Sequence, residues 1–81
     1  MERMVELRQL RHLIALADFR NFQRAADTVG LSQSALSRSI QALERELNCE
    51  LVDRQSREFR FTGQGELVLQ HARRLVAGSR S

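Results

Sequence analysis

Ala25-Ala26-Asp27-Thr28-Val29-Gly30-Leu31-Ser32-Gln33-Ser34-Ala35-Leu36 reads as the end of one short helix, a tight turn and the start of another. Ala26 is small enough for two helices to cross closely, and Gly30, four residues on, can take the positive φ that ends the first of them. Ser32 can then cap the second helix by accepting from its free backbone N–H groups. Apolar residues fall at Ala25, Val29, Leu31, Leu36 and Ile40, where a bent pair of helices would bury them against a third element. A helix-turn-helix has this layout, and so does an ordinary helical hairpin; what the second helix presents to the outside has to separate them.

Working outward, Leu7, Leu10, Leu13, Ile14, Leu16 and Ala17 give a broad apolar face to a helix over about residues 7–19, with Arg8, Arg11 and Asp18 on its wet side. Phe19 and Phe22 bracket a short Arg20-Asn21 connection, where Asn suits a turn conformation and Phe22 is expected to plug the core. A second helix is expected over about 22–29 and a third over about 33–47. Leu36, Ile40, Leu43 and Leu47 make one stripe of the third, and Asn48 is a suitable left-handed stop.

Opposite that stripe, Gln33, Ser34, Ser37, Arg38 and Gln41 form a second face at helical spacing that carries no acid; Glu44, Glu46 and Glu50 come later. A surface that faces phosphates must keep carboxylates away, and one that reads base edges needs forked amides, hydroxyls and guanidinium groups. Short side chains at Ser34 and Ser37 would let the helix sink into a major groove. A merely solvated face more often carries paired Glu and Lys than Ser and Gln, which favours readout of DNA.

After the third helix the period changes from 3.6 to 2. Leu51 and Val52 open one short strand, and Phe59 and Phe61 alternate with Glu58, Arg60 and Thr62 in another. Between them, Asp53-Arg54-Gln55-Ser56-Arg57 would tip a wing able to reach phosphates or the minor groove. A hairpin that only covers the core, with Phe59 and Phe61 inward, uses opposite faces and is compatible with the same strands. Thr62 then looks like an N-cap, with Gly63-Gln64-Gly65 leading into a helix over about 64–77. Its apolar residues are too many for so small a body to bury, and positions 68, 72, 75 and 79 form a heptad-like row. A homodimer through Val68, Ala72, Leu75 and Val76 is therefore expected; the alternative is a helix packed wholly on its own domain. Gly78-Ser79-Arg80-Ser81 has linker composition, suggesting that something follows it.

The 81 residues make one small domain, too small for a catalytic cleft plus its scaffold. Proline, tyrosine and tryptophan are absent and Cys49 is the single thiol, so neither a disulfide framework nor a Cys/His zinc site can be assembled within one chain. No stretch approaches a membrane span, and the acids among the first residues do not suit a signal peptide, so a soluble cytoplasmic protein is expected. All 13 basic residues are arginine: 7 arginines balance 7 acids in residues 1–50, whereas residues 51–81 hold 6 against 3 and carry the whole net charge of +3. A polyanion would be gripped mainly by the second half, although arginine-for-lysine bias from base composition explains the same count. An enzyme is the weakest reading, since His12 and His71 sit on separate helices without nucleophile, metal set or phosphate loop; each is expected on a helix surface or dimer face.

Leu7-Arg8-Gln9-Leu10-Arg11, Phe22 and Arg24-Ala25-Ala26, then Leu31 through Arg38, Ile40, Leu43-Glu44, Glu46-Leu47, Leu51, Arg54, Thr62, Gly65 and His71-Ala72 follow one another in an order and spacing similar to a known pattern. Over nearly the whole chain the sequence resembles the amino-terminal domain of the LysR-type transcriptional regulators. The resemblance implies a mainly α winged helix-turn-helix over residues 1–62, with a three-helix core and a two-stranded wing, followed by a dimerising linker helix over 63–81. It implies a bacterial regulator that binds dyad-symmetric promoter DNA as a dimer, usually within a tetramer, with a small-molecule-sensing domain downstream that this chain does not contain. Neither a cofactor nor a small-molecule ligand is expected for this piece. Gln33, Ser34, Ser37 and Arg38 match positions facing bases and phosphates, and Arg54 matches the wing arginine. Arg24 and Thr62 are weaker phosphate candidates, and Ser32, Gln41 and Arg57 join them from the reading of the residues. Three departures stand out: Ser34 replaces a usual proline, Asn48-Cys49 a glycine-containing turn, and Val52 a common phenylalanine. Cys49 is expected to be a small filler. A rival of a different class keeps the fold but uses the last helix to form heterodimers with another regulator.

Overall fold

A computed structural model describes residues 5–78. The described residues form four helices: α1 (Leu7–Phe19), α2 (Phe22–Val29), α3 (Gln33–Leu47) and α4 (Gly63–Gly78). α1 is the central element, and α2, α3 and α4 each pack on it. Its Leu13 and Leu16 are fully enclosed, together with Leu36, Ile40 and Leu43 of α3 and Leu51 of the following segment. Ala25 and Ala26 of α2 are also completely buried, so small side chains stand where the helices approach one another.

Each helix boundary has a local cause. Gln9 Oε1 accepts from the Glu6 N–H at 2.9 Å and so closes the first turn of α1. α2 ends at Gly30, whose φ of 77° lets its N–H fold back to the carbonyls of Ala26 and Asp27. Ser32 Oγ accepts from Ala35 N at 3.1 Å and caps α3, and Asn48 ends it with a φ of 56°. Thr62 Oγ1 accepts from Gly65 N at 2.9 Å and caps α4. Gly65 is required there, because a Cβ would lie 2.1 Å from the Leu51 carbonyl oxygen.

Several expectations need correction. The turn between α1 and α2 puts Arg20, not Asn21, in the left-handed region, at φ 50°. Asn21 stays extended, and its side-chain oxygen accepts from Arg24 N at 2.9 Å; an Asn that caps the next helix cannot also supply the left-handed residue. Phe22 packs against the edge of the core without being enclosed in it. It is half-buried, with its ring edge-on to Phe59 at 6.0 Å. The expected two-stranded wing is absent among the described residues: Val52 and Phe61 form one isolated antiparallel bridge, flanked by Asp53 N–H to Arg60 O and Thr62 N–H to Leu51 O, both at 2.9 Å. Only the base of the hairpin is paired, because residues 53–60 turn too soon to continue a ladder. Phe61 is buried and Phe59 half-buried, their rings T-shaped at 4.9 Å, so the aromatic pair closes the core beneath the loop.

His12 is also misplaced by the sequence reading. It lies inside the fold at 8% exposure, with Nδ1 hydrogen-bonded to Ser39 Oγ at 2.7 Å, and so ties α1 to α3. Burial and the nearby Arg8 charge lower its pKa. Cys49 is half-buried, as a filler would be. Among the described residues, no helix is long and apolar enough to cross a membrane.

Candidate nucleic-acid interface

The turn at Gly30 and the cap at Ser32 set where α2 ends and α3 begins. Gln33, Ser34, Arg38 and Gln41 are exposed and Ser37 is half-exposed, while Leu36, Ile40 and Leu43 on the opposite side are completely covered. The inner stripe thus fixes the rotation of α3 and thereby the direction of its outer face. Gln33, Ser37, Arg38 and Gln41 make no side-chain hydrogen bond to another described residue; Ser34 Oγ lies 3.3 Å from Ser32 Oγ. Forked amides, a guanidinium and hydroxyls therefore stand on one surface with most donors and acceptors open to an external partner.

The other candidates stand differently. Arg24 is exposed on α2, one turn from the capped end. Arg57 is exposed at the loop, and Arg54, with a side chain 41% exposed, is tethered. Its Nη1 donates to Glu44 Oε2 at 3.0 Å and reaches the Val52 carbonyl at 3.5 Å. Thr62 donates its hydroxyl to the Glu50 carbonyl while capping α4, so it already has a structural task. Gln33 lines the same cleft as Arg20, Arg54 and Arg57, which places the start of α3 beside the loop.

Two contacts here escaped the sequence reading. Arg20 stacks its guanidinium over the Phe59 ring, 5.7 Å from the centroid, and donates to the Phe59 carbonyl at 3.4 Å, so the α1–α2 corner holds the loop. Glu44 accepts from Leu51 N at 2.7 Å and Val52 N at 3.3 Å as well as from Arg54, while its side chain is only 11% exposed. Burial would raise its pKa, but the Arg54 hydrogen bond, the two backbone N–H groups and the Arg54 charge outweigh that and hold it below its ordinary value. Periodicity marks neither contact: Phe59 lies 39 residues from Arg20, and Leu51, Val52 and Arg54 reach Glu44 only once the chain folds back after α3.

On α4, Ala72 is fully buried against the protein's own core and Val68 and Val76 are half-buried, whereas Leu67 and Leu75 are each 59% exposed. Position 79 of the expected heptad row lies outside the described residues. Val5, Leu10, Leu47, Val68, His71, Ala72 and Leu75 line an almost wholly apolar groove where α4 meets the ends of α1 and α3.

A short capped helix, a glycine turn and a second helix with an open, acid-free outer face define a regulatory helix-turn-helix. Residues 7–66 match the family described as bacterial regulatory helix-turn-helix protein, lysR family, and the chain belongs to it, as a LysR-type DNA-binding domain. A relative from Pseudomonas sp., the SDS degradation transcriptional activation protein, is 59% identical over 78 residues, covering 96% of this chain and 26% of its own length. Among solved structures, a BenM_DBD complex with benA site 1 DNA has a TM-score of 0.88 at 39% identity, covering 93% of this chain and 84% of that one. Vibrio fischeri DarR in complex with DNA has a TM-score of 0.91 at 37% identity, covering 96% and 27%. The chain spans about a quarter of the length of the curated relatives it matches. The family is one of transcription regulators and not of enzymes, and no reaction is assigned to His12, His71 or Cys49.

Proposed function

We propose that α3 enters the major groove of double-stranded DNA and that Gln33, Ser34, Ser37, Arg38 and Gln41 face the bases and phosphates there, in the control of transcription from dyad-symmetric sites. The observation that carries this reading is the outer face of α3, which is free of acids and largely free of intramolecular partners, opposite a completely buried apolar stripe. The BenM and DarR structures, whose folds match so closely, are complexes with DNA and support the same partner here. Arg24, Ser32, Arg54, Arg57 and Thr62 flank the reading face, and the arginines among them supply salt-sensitive grip on the backbone.

The chain acts as a homodimer through α4 in this reading. Leu67, His71 and Leu75 form the outward ridge that a twin helix would cover, with Val68 and Val76 at its edge; Ala72, already covered by its own protomer, supports that ridge from beneath. Residues 1–62 read DNA and residues 63–81 pair, and symmetry then sets the spacing of the two α3 helices on successive grooves.

Selection of bound sequences from a random duplex pool near physiological salt, followed by titration of the winner against scrambled DNA, tests this reading. Enrichment of a two-fold symmetric site bound on the order of a thousandfold tighter than scrambled DNA is the expected result. Weak, unselective and salt-erased binding would overturn it and favour a partner-binding module acting through α4.

A further inference from the structure

Glu44 is an acid on the helix that is to approach a polyanion, yet it is sheltered and engaged. Its Oε2 gathers the Leu51 and Val52 N–H groups, at 2.7 and 3.3 Å, and Arg54 Nη1 at 3.0 Å. One carboxylate on α3 thereby holds both the paired base of the loop over residues 53–60 and the arginine just beyond that base. The tether uses Nη1, which also reaches the Val52 carbonyl; the remaining guanidinium donors of Arg54 have no partner among the described residues, and the side chain is 41% exposed. A guanidinium has its N–H donors in a fixed fork, so fixing one nitrogen settles where the others point.

We infer that Glu44 is a positioning residue for DNA binding: it holds Arg54 so that its free donors meet a backbone phosphate beside the groove that α3 occupies, and makes α3 and the loop over residues 53–60 one contact surface. The inference rests on the proposed role of Arg54. An arginine held before the DNA arrives loses less freedom on docking than a loose one, so the acid strengthens binding to an anion through its neighbour. Charge alone acts in the opposite direction, because removing a negative group from a surface that faces phosphates tightens binding.

The sign of the effect makes the inference testable with the duplex selected from the random pool and a scrambled duplex, measured over a salt series. Glu44→Gln keeps an acceptor for the backbone N–H groups but removes the ion pair. It should weaken binding to the selected duplex roughly threefold to tenfold. Arg54→Ala should weaken binding and flatten the salt dependence by about one unit of slope. The double variant should bind no more weakly than Arg54→Ala alone, because Glu44 acts through Arg54. Arg54→Lys leaves the backbone bonds of Glu44 untouched, so it tests the same point if Glu44→Gln does not fold. A single ammonium cannot serve carboxylate and phosphate with the geometry of a fork, and Arg54→Lys should lose most of what Arg54→Ala loses. Tighter binding by Glu44→Gln, an equal loss from it in both backgrounds, or unimpaired binding by Arg54→Lys would each overturn the inference. Wild-type affinity and salt slope in Arg54→Ala would instead remove the role of Arg54 itself, and the inference with it.

Discussion

The outer face of α3 and the loop over residues 53–60, the two surfaces proposed to meet DNA, are held in opposite ways. α3 is fixed from behind: Leu36, Ile40 and Leu43 are completely buried, and the reading side chains in front need hold nothing. The loop has one paired rung at its base and is fixed from the side, by Glu44 on Arg54 and by Arg20 on Phe59. In the proposed reading, readout uses a face with unoccupied donors, whereas backbone grip relies on Arg54, whose placement depends on Glu44. A helix supplies its own rigidity once one stripe is buried; an eight-residue loop must borrow it.

That contrast predicts where stability and affinity separate. Leu36→Ala, on the inner stripe, should destabilise the fold by about 2–5 kcal/mol, seen as a fall in melting temperature of roughly 4–8 °C per kcal/mol. Arg38→Ala, two residues further along the same helix, should leave the melting temperature nearly unchanged and weaken specific DNA binding by about 1–3 kcal/mol. Equal losses of stability from the two variants would break the division of α3 into a structural and a reading side. Arg20→Ala sharpens the other half of the comparison. It removes the stacking on Phe59 at an exposed site and should lower stability by only about 0.5–1 kcal/mol, while increasing hydrogen exchange at the Asp53 amide that pairs with Arg60. Unaltered exchange there would show that the loop does not depend on the α1–α2 corner.

Much of the helical frame was legible because its causes are local. The limits of α1, α2 and α3 follow from apolar period, from Gly30 and Asn48 in left-handed conformations and from the Ser32 cap. The outer face of α3 was legible for the same reason, since one helical period fixes both sides at once. The wing was not: two alternating residues cannot reveal whether a ladder continues, and the rung observed is a single pair. Asn21 has two plausible local tasks, and only the path of the chain into α2 selects capping. His12 looked like a surface group, and the task of Glu44 went unread, because their partners, Ser39, Leu51, Val52 and Arg54, are brought to them by folding. Ala72 joined the expected dimer row by spacing, yet α1 buries it.

His12 and Glu44 give the smallest expected effect, in the pH dependence of stability. His12 has a folded pKa below 6.5, from burial first and the Arg8 charge second, so the unfolded chain takes up its proton more readily. Its contribution is complete above about pH 6.5 and declines as the pH falls toward the folded value. Glu44 has a folded pKa below 4.5, so its contribution is present above that value and declines at still lower pH, as protonation releases Arg54 and the backbone N–H groups of Leu51 and Val52. Both changes run the same way, and acidification should weaken the fold in two successive windows. Denaturant melts at closely spaced pH values, repeated with His12→Phe, separate them: the variant should lose the upper window and keep the lower one. An upper window that survives His12→Phe would place its origin in another group, and stability that rises as the pH falls below 6.5 would contradict the buried, neutral state of His12 on which the α1–α3 tether depends.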